Sequence, residues 1–245
     1  MNKPRRRILK PILNHLIMSV LYIVATPIGN LSDISQRALD ILKSVDYILC
    51  EDTRVSQKML TRFDIKKPLI SYHQHSRLAK VEQIIEILQA GKNIALISDA
   101  GTPGISDPGG KLLEEVAKLL GEQVKIVPIP GASAITAIAS VCGFSMDKFL
   151  FLGFPPAKNK RKKFFEEVVS SKYPVIFYES CHRILKTLND LLVISSSRNI
   201  EISLVVGREL TKKFETIYRG ALNEVIEKIK KDPLKGEFVV AVDKT

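Results

Sequence analysis

The sequence predicts an α/β protein of two α/β domains, the first on a mostly parallel sheet and the second on a mixed one. Short β-branched apolar runs alternate with longer amphipathic segments, the pattern of strand–helix units. A stretch dense in glycine and proline, SDAGTPGISDPGG (98–110), directly follows one apolar run. Late in the chain two apolar runs, 201–207 and 215–220, succeed each other without a helix, which implies an antiparallel pair.

Residues 1–19 read as a basic N-terminal extension holding Lys3, Arg5, Arg6, Arg7 and Lys10 without an acid. Asn14 and His15 interrupt the apolar stretch behind these charges, so a signal peptide is set aside and the run from Val20 serves as the first strand. Strands are expected at 21–26, 46–51, 68–72, 93–99 and 124–129, with helices at 34–43, 54–62, 78–90, 109–120 and 132–140. The segment VCGFSMDK (141–148) has no clear period and marks the boundary, giving domains 20–143 and 144–245. The second domain is expected to carry strands at 149–154, 174–179, 201–207, 215–220 and 237–242, with helices at 160–171, 182–193 and 221–231.

With 45% hydrophobic and 26% charged residues among 245, the composition excludes collagen-like and disordered classes. The three cysteines, Cys50, Cys142 and Cys181, lie far apart with no CxxC spacing, which argues against disulfides and zinc knuckles and for a reducing cytoplasm. No apolar run reaches the roughly 20 residues of a membrane span. Lys and Arg total 37 against 26 acids, a surplus of +11 that favours a polyanionic partner.

Chemistry is expected where glycine loops follow strands. Gly101, Gly104, Gly109 and Gly110, stiffened by Pro103 and Pro108, would let a ligand lie against main-chain groups at the carboxyl edge of the sheet. TPIGN (26–30) and PIPGASA (128–134) occupy equivalent positions. Neither the GxxxxGK[ST] nor the GxGxxG spacing is present, so nucleoside triphosphates and NAD are disfavoured, and a nucleoside without phosphates remains. CEDTR (50–54) groups Glu51, Asp52 and Arg54, with a helix N-cap an equally good use of Asp52. His73 and His75 in ISYHQH lack further metal ligands, so polar or substrate-facing roles are preferred and no metal site is expected. Charged residues also follow strands at FYESCHR (177–183), VGREL (206–210) and KGEF (235–238), where ion-pair networks are an equal alternative. The run KNKRKK supplies Lys158, Lys160, Arg161, Lys162 and Lys163, and cations at a helix start oppose the helix dipole, which favours a phosphate-contact loop over a solvated helix start.

Taken in order, LYIVATPIGNLSDIS, CEDTR, ISYHQH, SDAGTPGISDPG, IPGASA, FLFLGF, FYES-HR, RELTK and KGEF resemble the ribosomal RNA small subunit methyltransferase I family, within the tetrapyrrole methylase fold, over about residues 20–243. The resemblance implies a homodimer that binds S-adenosylmethionine between two domains and methylates the ribose 2′-hydroxyl of a decoding-region cytidine in 16S rRNA or the small subunit. Pro27, Gly29, Asp99, Ala100, Gly101, Thr102, Ser106, Pro130, Gly131 and Ser133 fall in its cofactor-loop motifs. Arg54, His73, Glu179, Arg183 and Arg208 fall in motifs facing the substrate, with Arg183 and Arg208 expected to meet RNA. Glu179, Asp99 and His73 are the possible proton acceptors, and Arg54 a partner for developing charge. Cys181 and Ala132 stand where these motifs usually carry proline. Methylation of a small tetrapyrrole and non-catalytic RNA binding are the competing readings.

Because residues 1–17 lie outside the resembling region, a chain started at Met18 is expected to fold unchanged. Thermal unfolding of the two forms checks this, and a loss of soluble protein or a fall of more than a few degrees would make the segment structural.

Overall fold

The apolar runs of the first half become five parallel strands, β1 (Ser19–Val24), β2 (Tyr47–Cys50), β3 (Leu69–Ser71), β4 (Ile94–Leu96) and β5 (Val124–Ile129), in the order β3-β2-β4-β1-β5. The computed structural model describes residues 18–73 and 78–244; Lys3 to Lys10 and His75 lie outside them. Central β1 pairs with β4 and β5 through Leu21, opposite Ile94 and Ile126. At the edge, β5 tolerates Pro128 because one side of it needs no ladder donor.

Helices α1 (Gln36–Ser44), α2 (Thr53–Arg62), α3 (Leu78–Gln89) and α4 (Gly109–Leu120) cover both faces. Leu42 and Leu60 of α1 and α2 join one core with Ile48 and Ile97, whereas Ile84, Leu112 and Val116 of α3 and α4 join the other with Leu21 and Leu49. Side-chain caps start two of these helices. The Ser35 hydroxyl accepts from the Ala38 amide at 3.1 Å, and Asp52 accepts from the Arg54 amide at 2.8 Å.

The second sheet holds β6 (Leu150–Phe151), β7 (Val175–Ser180), β8 (Ile202–Arg208), β9 (Thr216–Ala221) and β10 (Glu237–Lys244), ordered β6-β7-β10-β8-β9. It is mixed: β6 and β7 run parallel and every other pair is antiparallel. Buried continuously from Phe238 to Val242, β10 is a central strand with helices on both sides. On one face lie α6 (Arg161–Ser170), α7 (Ile184–Ser197) and α8 (Leu222–Lys231), closing over Phe165, Phe177 and Leu188.

Helix α5 (Ala134–Val141) covers the other face. It precedes the boundary expected at residue 143, yet Ile138 and Cys142 pack with Ile176, Val205, Val239 and Ala241 of the second sheet. A short apolar helix with little polar surface of its own needs cover, and this sheet face supplies it. The strand expected over 149–154 shortens to two residues. Gly153 at φ +65° turns the chain, and Pro155 and Pro156 prevent the ladder from continuing.

Candidate functional site

Three glycine loops meet at the carboxyl ends of β1, β4 and β5. Thr26 and Gly101 exchange main-chain hydrogen bonds of 2.9 and 3.1 Å, and the Thr26 hydroxyl donates to the Ser98 carbonyl at 3.0 Å. Gly101 sits at φ +86°, where an L side chain is strained, and a Cβ would stand 3.3 Å from Ile28. The Thr102 hydroxyl donates to the Ala132 carbonyl at 3.2 Å, tying in the third loop. Asp107 fixes the far end by accepting from the Gly104 and Gly109 amides at 2.8 and 2.7 Å.

These loops and the ends of β7, β8 and β10 enclose a cavity of about 480 Å³. Of the residues expected to hold a cofactor, Ala100, Gly101, Thr102, Ser106 and Ser133 line it. Pro27, Gly29, Asp99, Pro130 and Gly131 do not, and the two glycines serve close packing. A Cβ on Gly29 would stand 2.3 Å from Lys212 Cγ, and one on Gly131 would stand 2.9 Å from Ala25 Cβ. Asp99 accepts from the Asp52 amide at 3.2 Å. Loss of solvent raises its carboxyl, and the Asp52 charge adds to this against that hydrogen bond.

Glu179 also lines the cavity, but its oxygens are occupied. Oε1 accepts from the Ser180 amide at 2.7 Å and pairs with Arg183 Nη2 at 2.9 Å, while Oε2 accepts from the Thr187 hydroxyl at 2.5 Å. Arg54 points to solvent and pairs with Asp52 at 2.6 Å, away from the cavity. The Asp52 carboxyl is lowered to about 2, chiefly by hydrogen bonds from Arg54. His73 lines an adjoining space of about 510 Å³ that shares Glu51, Ser106 and Asp107 with the main cavity.

The basic run divides. Lys158, Lys160, Lys162 and Lys163 are exposed, whereas Arg161 is turned inward. Its guanidinium donates to Asp190 and Thr187, each at 2.7 Å, and to the Pro156 carbonyl at 3.1 Å. Arg208 is likewise buried and donates to the Lys235 carbonyl at 3.1 Å. Arg183 is half-buried and donates to the Pro155 carbonyl at 3.0 Å. Among the described residues, no group of three or more His, Cys, Asp and Glu side chains could hold a metal ion, and no helix could cross a membrane.

The cavity also draws in Asp107, Phe154, Tyr178 and Lys212, not expected there, together with Glu51 and Glu237 from the charged clusters CEDTR and KGEF. Lys212 bridges Glu209 and Glu237 at 2.8 and 3.0 Å. Burial pushes the Glu51 carboxyl up, reinforced by Asp107 and Asp99. It pushes the Tyr178 phenol up to about 12. The CEDTR motif drew attention to Glu51, but nothing local distinguishes it from its neighbour Asp52; the surroundings do.

A family model for tetrapyrrole (corrin/porphyrin) methylases matches residues 20–226. The chain belongs to the tetrapyrrole methylase family. Relatives named ribosomal RNA small subunit methyltransferase I include that of Synechocystis sp., 44% identical over 92% of this chain and 79% of the relative. The one from Bacillus subtilis is 42% identical over 92% and 75%, and that from Thermotoga maritima 40% over 92% and 98%. Among solved structures, a cobalt precorrin-4 methyltransferase of cobalamin biosynthesis superposes with a TM-score of 0.65 at 18% identity, covering 92% of this chain and 95% of its own. The methyltransferase CobJ does so with 0.65 at 16%, covering 93% and 94%. At such identities these two establish the methylase fold alone, two α/β halves with one parallel and one mixed sheet.

The inward turn of Arg161 separates two effects. Arg161→Gln is expected to cost about 1–3 kcal/mol, because buried Thr187 and partly exposed Asp190 lose their partner, and chemical denaturation reads this. Replacing Lys158, Lys160, Lys162 and Lys163 by Gln should leave stability within about 0.5 kcal/mol. If these lysines meet RNA, each lost contact lowers the slope of log affinity against log salt by about 0.7–0.9.

Proposed function

We propose that this chain is an S-adenosylmethionine-dependent methyltransferase acting on the small ribosomal subunit, where it methylates the ribose 2′-hydroxyl of a cytidine in the decoding region of 16S rRNA. Its kinship with relatives named ribosomal RNA small subunit methyltransferase I, over nine-tenths of its length, carries the reading. A homodimer working in the cytoplasm belongs to the same proposal. The test is transfer of a labelled methyl group to small subunits or naked 16S rRNA, with alkali-resistant linkage at the product identifying 2′-O chemistry.

The cavity suits S-adenosylmethionine on its own chemistry. With Glu237 paired to Lys212, Glu51 and Asp107 give an otherwise basic protein an acidic patch in the cleft, complementary to the positive sulfonium and ammonium groups. Gly101, at φ +86°, keeps its stretch of the cavity wall free of a side chain, and Ile28, Ala134, Leu210 and Val239 provide apolar wall. When bound, this cofactor supplies a methyl group on a good leaving group. The protein's work is therefore to position the acceptor oxygen and take its proton.

Glu179 is engaged by Arg183 and Thr187, and its role is to fix the cavity wall. Glu51 fits the proton acceptor: it lines both spaces, makes no ion pair within 4.0 Å among the described residues, and its raised carboxyl is a stronger base than an ordinary one. The exposed lysines draw in the polyanion.

Gly101→Val should weaken S-adenosylmethionine binding tenfold or more, since a branched side chain is strained at this φ and fills the turn; calorimetry reads the loss. Undiminished affinity would place the cofactor elsewhere. Glu51→Gln is expected to lower methyl transfer by about 10²–10⁴. The same change should raise Tm at neutral pH. With the folded carboxyl raised above its unfolded value, holding it ionised costs stability, and this cost fades as pH falls toward about 4, so the gain in Tm fades with it.

A further inference from the structure

We infer that Phe154 is a stacking platform for one nucleobase of the substrate RNA, displaced from its neighbours at the mouth of the cleft. The inference deepens the proposed reaction and rests on it for the identity of the RNA. Phe154 is 51% exposed although it lines the main cavity. Its ring leans on Tyr178 at 5.3 Å and 55°, and Tyr178 in turn meets Phe151 edge-on at 5.0 Å. The tilt keeps Tyr178 from covering Phe154 face to face.

The backbone on either side of the ring is pinned. Gly153, at φ +65°, accepts from the Tyr178 amide at 2.8 Å. The two residues after Phe154 are Pro155 and Pro156, whose carbonyls are held by Arg183 and Arg161 at 3.0 and 3.1 Å. Those arginines are themselves anchored by Glu179, Asp190 and Thr187. A large aromatic ring kept in water by a rigid loop gives up the apolar burial it could gain, and is suited to take a flat partner at little entropic cost.

The partner's chemistry follows from the surroundings. Lys158 and Lys160 are exposed a few residues on, so a strand whose base meets Phe154 runs its phosphates past cations. Across the cavity mouth Ile105 is 43% exposed on the glycine loop, and the two loops touch where a Cβ on Gly153 would stand 3.3 Å from Ser106 Oγ. An aromatic face beside a cationic strip is how single-stranded RNA is held, by stacking with little dependence on which base it is. Stacking there would hold the nucleotide's ribose at the cavity, where a 2′-hydroxyl must come.

The sequence contains no tryptophan, so Phe154→Trp installs a single fluorophore at the platform. The probe is a dye-labelled single-stranded oligo(C) RNA, titrated in low salt with S-adenosylhomocysteine present. Phe154→Ala is expected to weaken its binding, read by anisotropy, about tenfold or more, a larger loss than any fall in cofactor affinity read by calorimetry. Phe154→Trp should recover RNA binding, and its indole emission should be quenched saturably, whereas the emission of a Val193→Trp variant, altered at an exposed position of α7, should not respond. The inference is overturned if wild-type protein does not retain the oligonucleotide, if Phe154→Ala binds it as tightly as wild type, or if the emission of the Phe154→Trp variant is unchanged with RNA bound. Quenching reads stacking whether or not a methyl group moves. Quenching without methyl transfer to any RNA would therefore refute the proposed reaction and uphold the platform.

Discussion

Glu179 carries a negative charge at the inner end of β7, where its side chain is almost wholly out of water. Such a charge is tolerated only when every oxygen is met, and meeting them recruits the surrounding structure. Arg183 and Thr187 come from the start of α7, and Arg161 reaches the same threonine from the start of α6. Each arginine then holds a proline carbonyl of the loop after β6. One buried carboxylate thus sets the register of two helix starts, a strand end and the loop that forms the cavity wall.

The net charge conceals an arrangement in two layers. Carboxylates gather inside the cleft, and lysines stand outside it on the loop before α6. A cationic methyl donor and a polyanionic acceptor need opposite fields within a short distance, and the fold supplies both by placing each on a different loop. Lys212 lies at the seam. Its ammonium pairs with Glu209 and Glu237 across the turn between β8 and β9 and the start of β10, while its stem fills the space that Gly29 leaves free.

Much of this was legible in the chain. Apolar runs such as NIALISD and EFVVAV became central strands because they are buried on both faces, and the glycine loops after β1, β4 and β5 did converge. Which glycines face the cavity was not legible: Gly101 does, but Gly29 and Gly131 make room for neighbours distant in sequence. Arg161 looked like one of five equivalent cations, and only the packing of α6 against α7 shows that it points inward. Phe154 stayed hidden for the same reason, and Glu51, though grouped in CEDTR, could not be told from Asp52, since what distinguishes both is the company the fold brings.

Helix α5 bears on how the molecule comes apart. It is joined to β5 of the first sheet by a short loop, while its apolar side is part of the core on β8 and β10. Cutting the chain near residue 143 would strip the second sheet of cover on that face and leave α5 with bare Ile138 and Cys142 on the other fragment. Neither piece would keep a complete interior, so opening either half exposes apolar surface that the other half covers, and the stability of each sheet draws on a helix shared across the boundary.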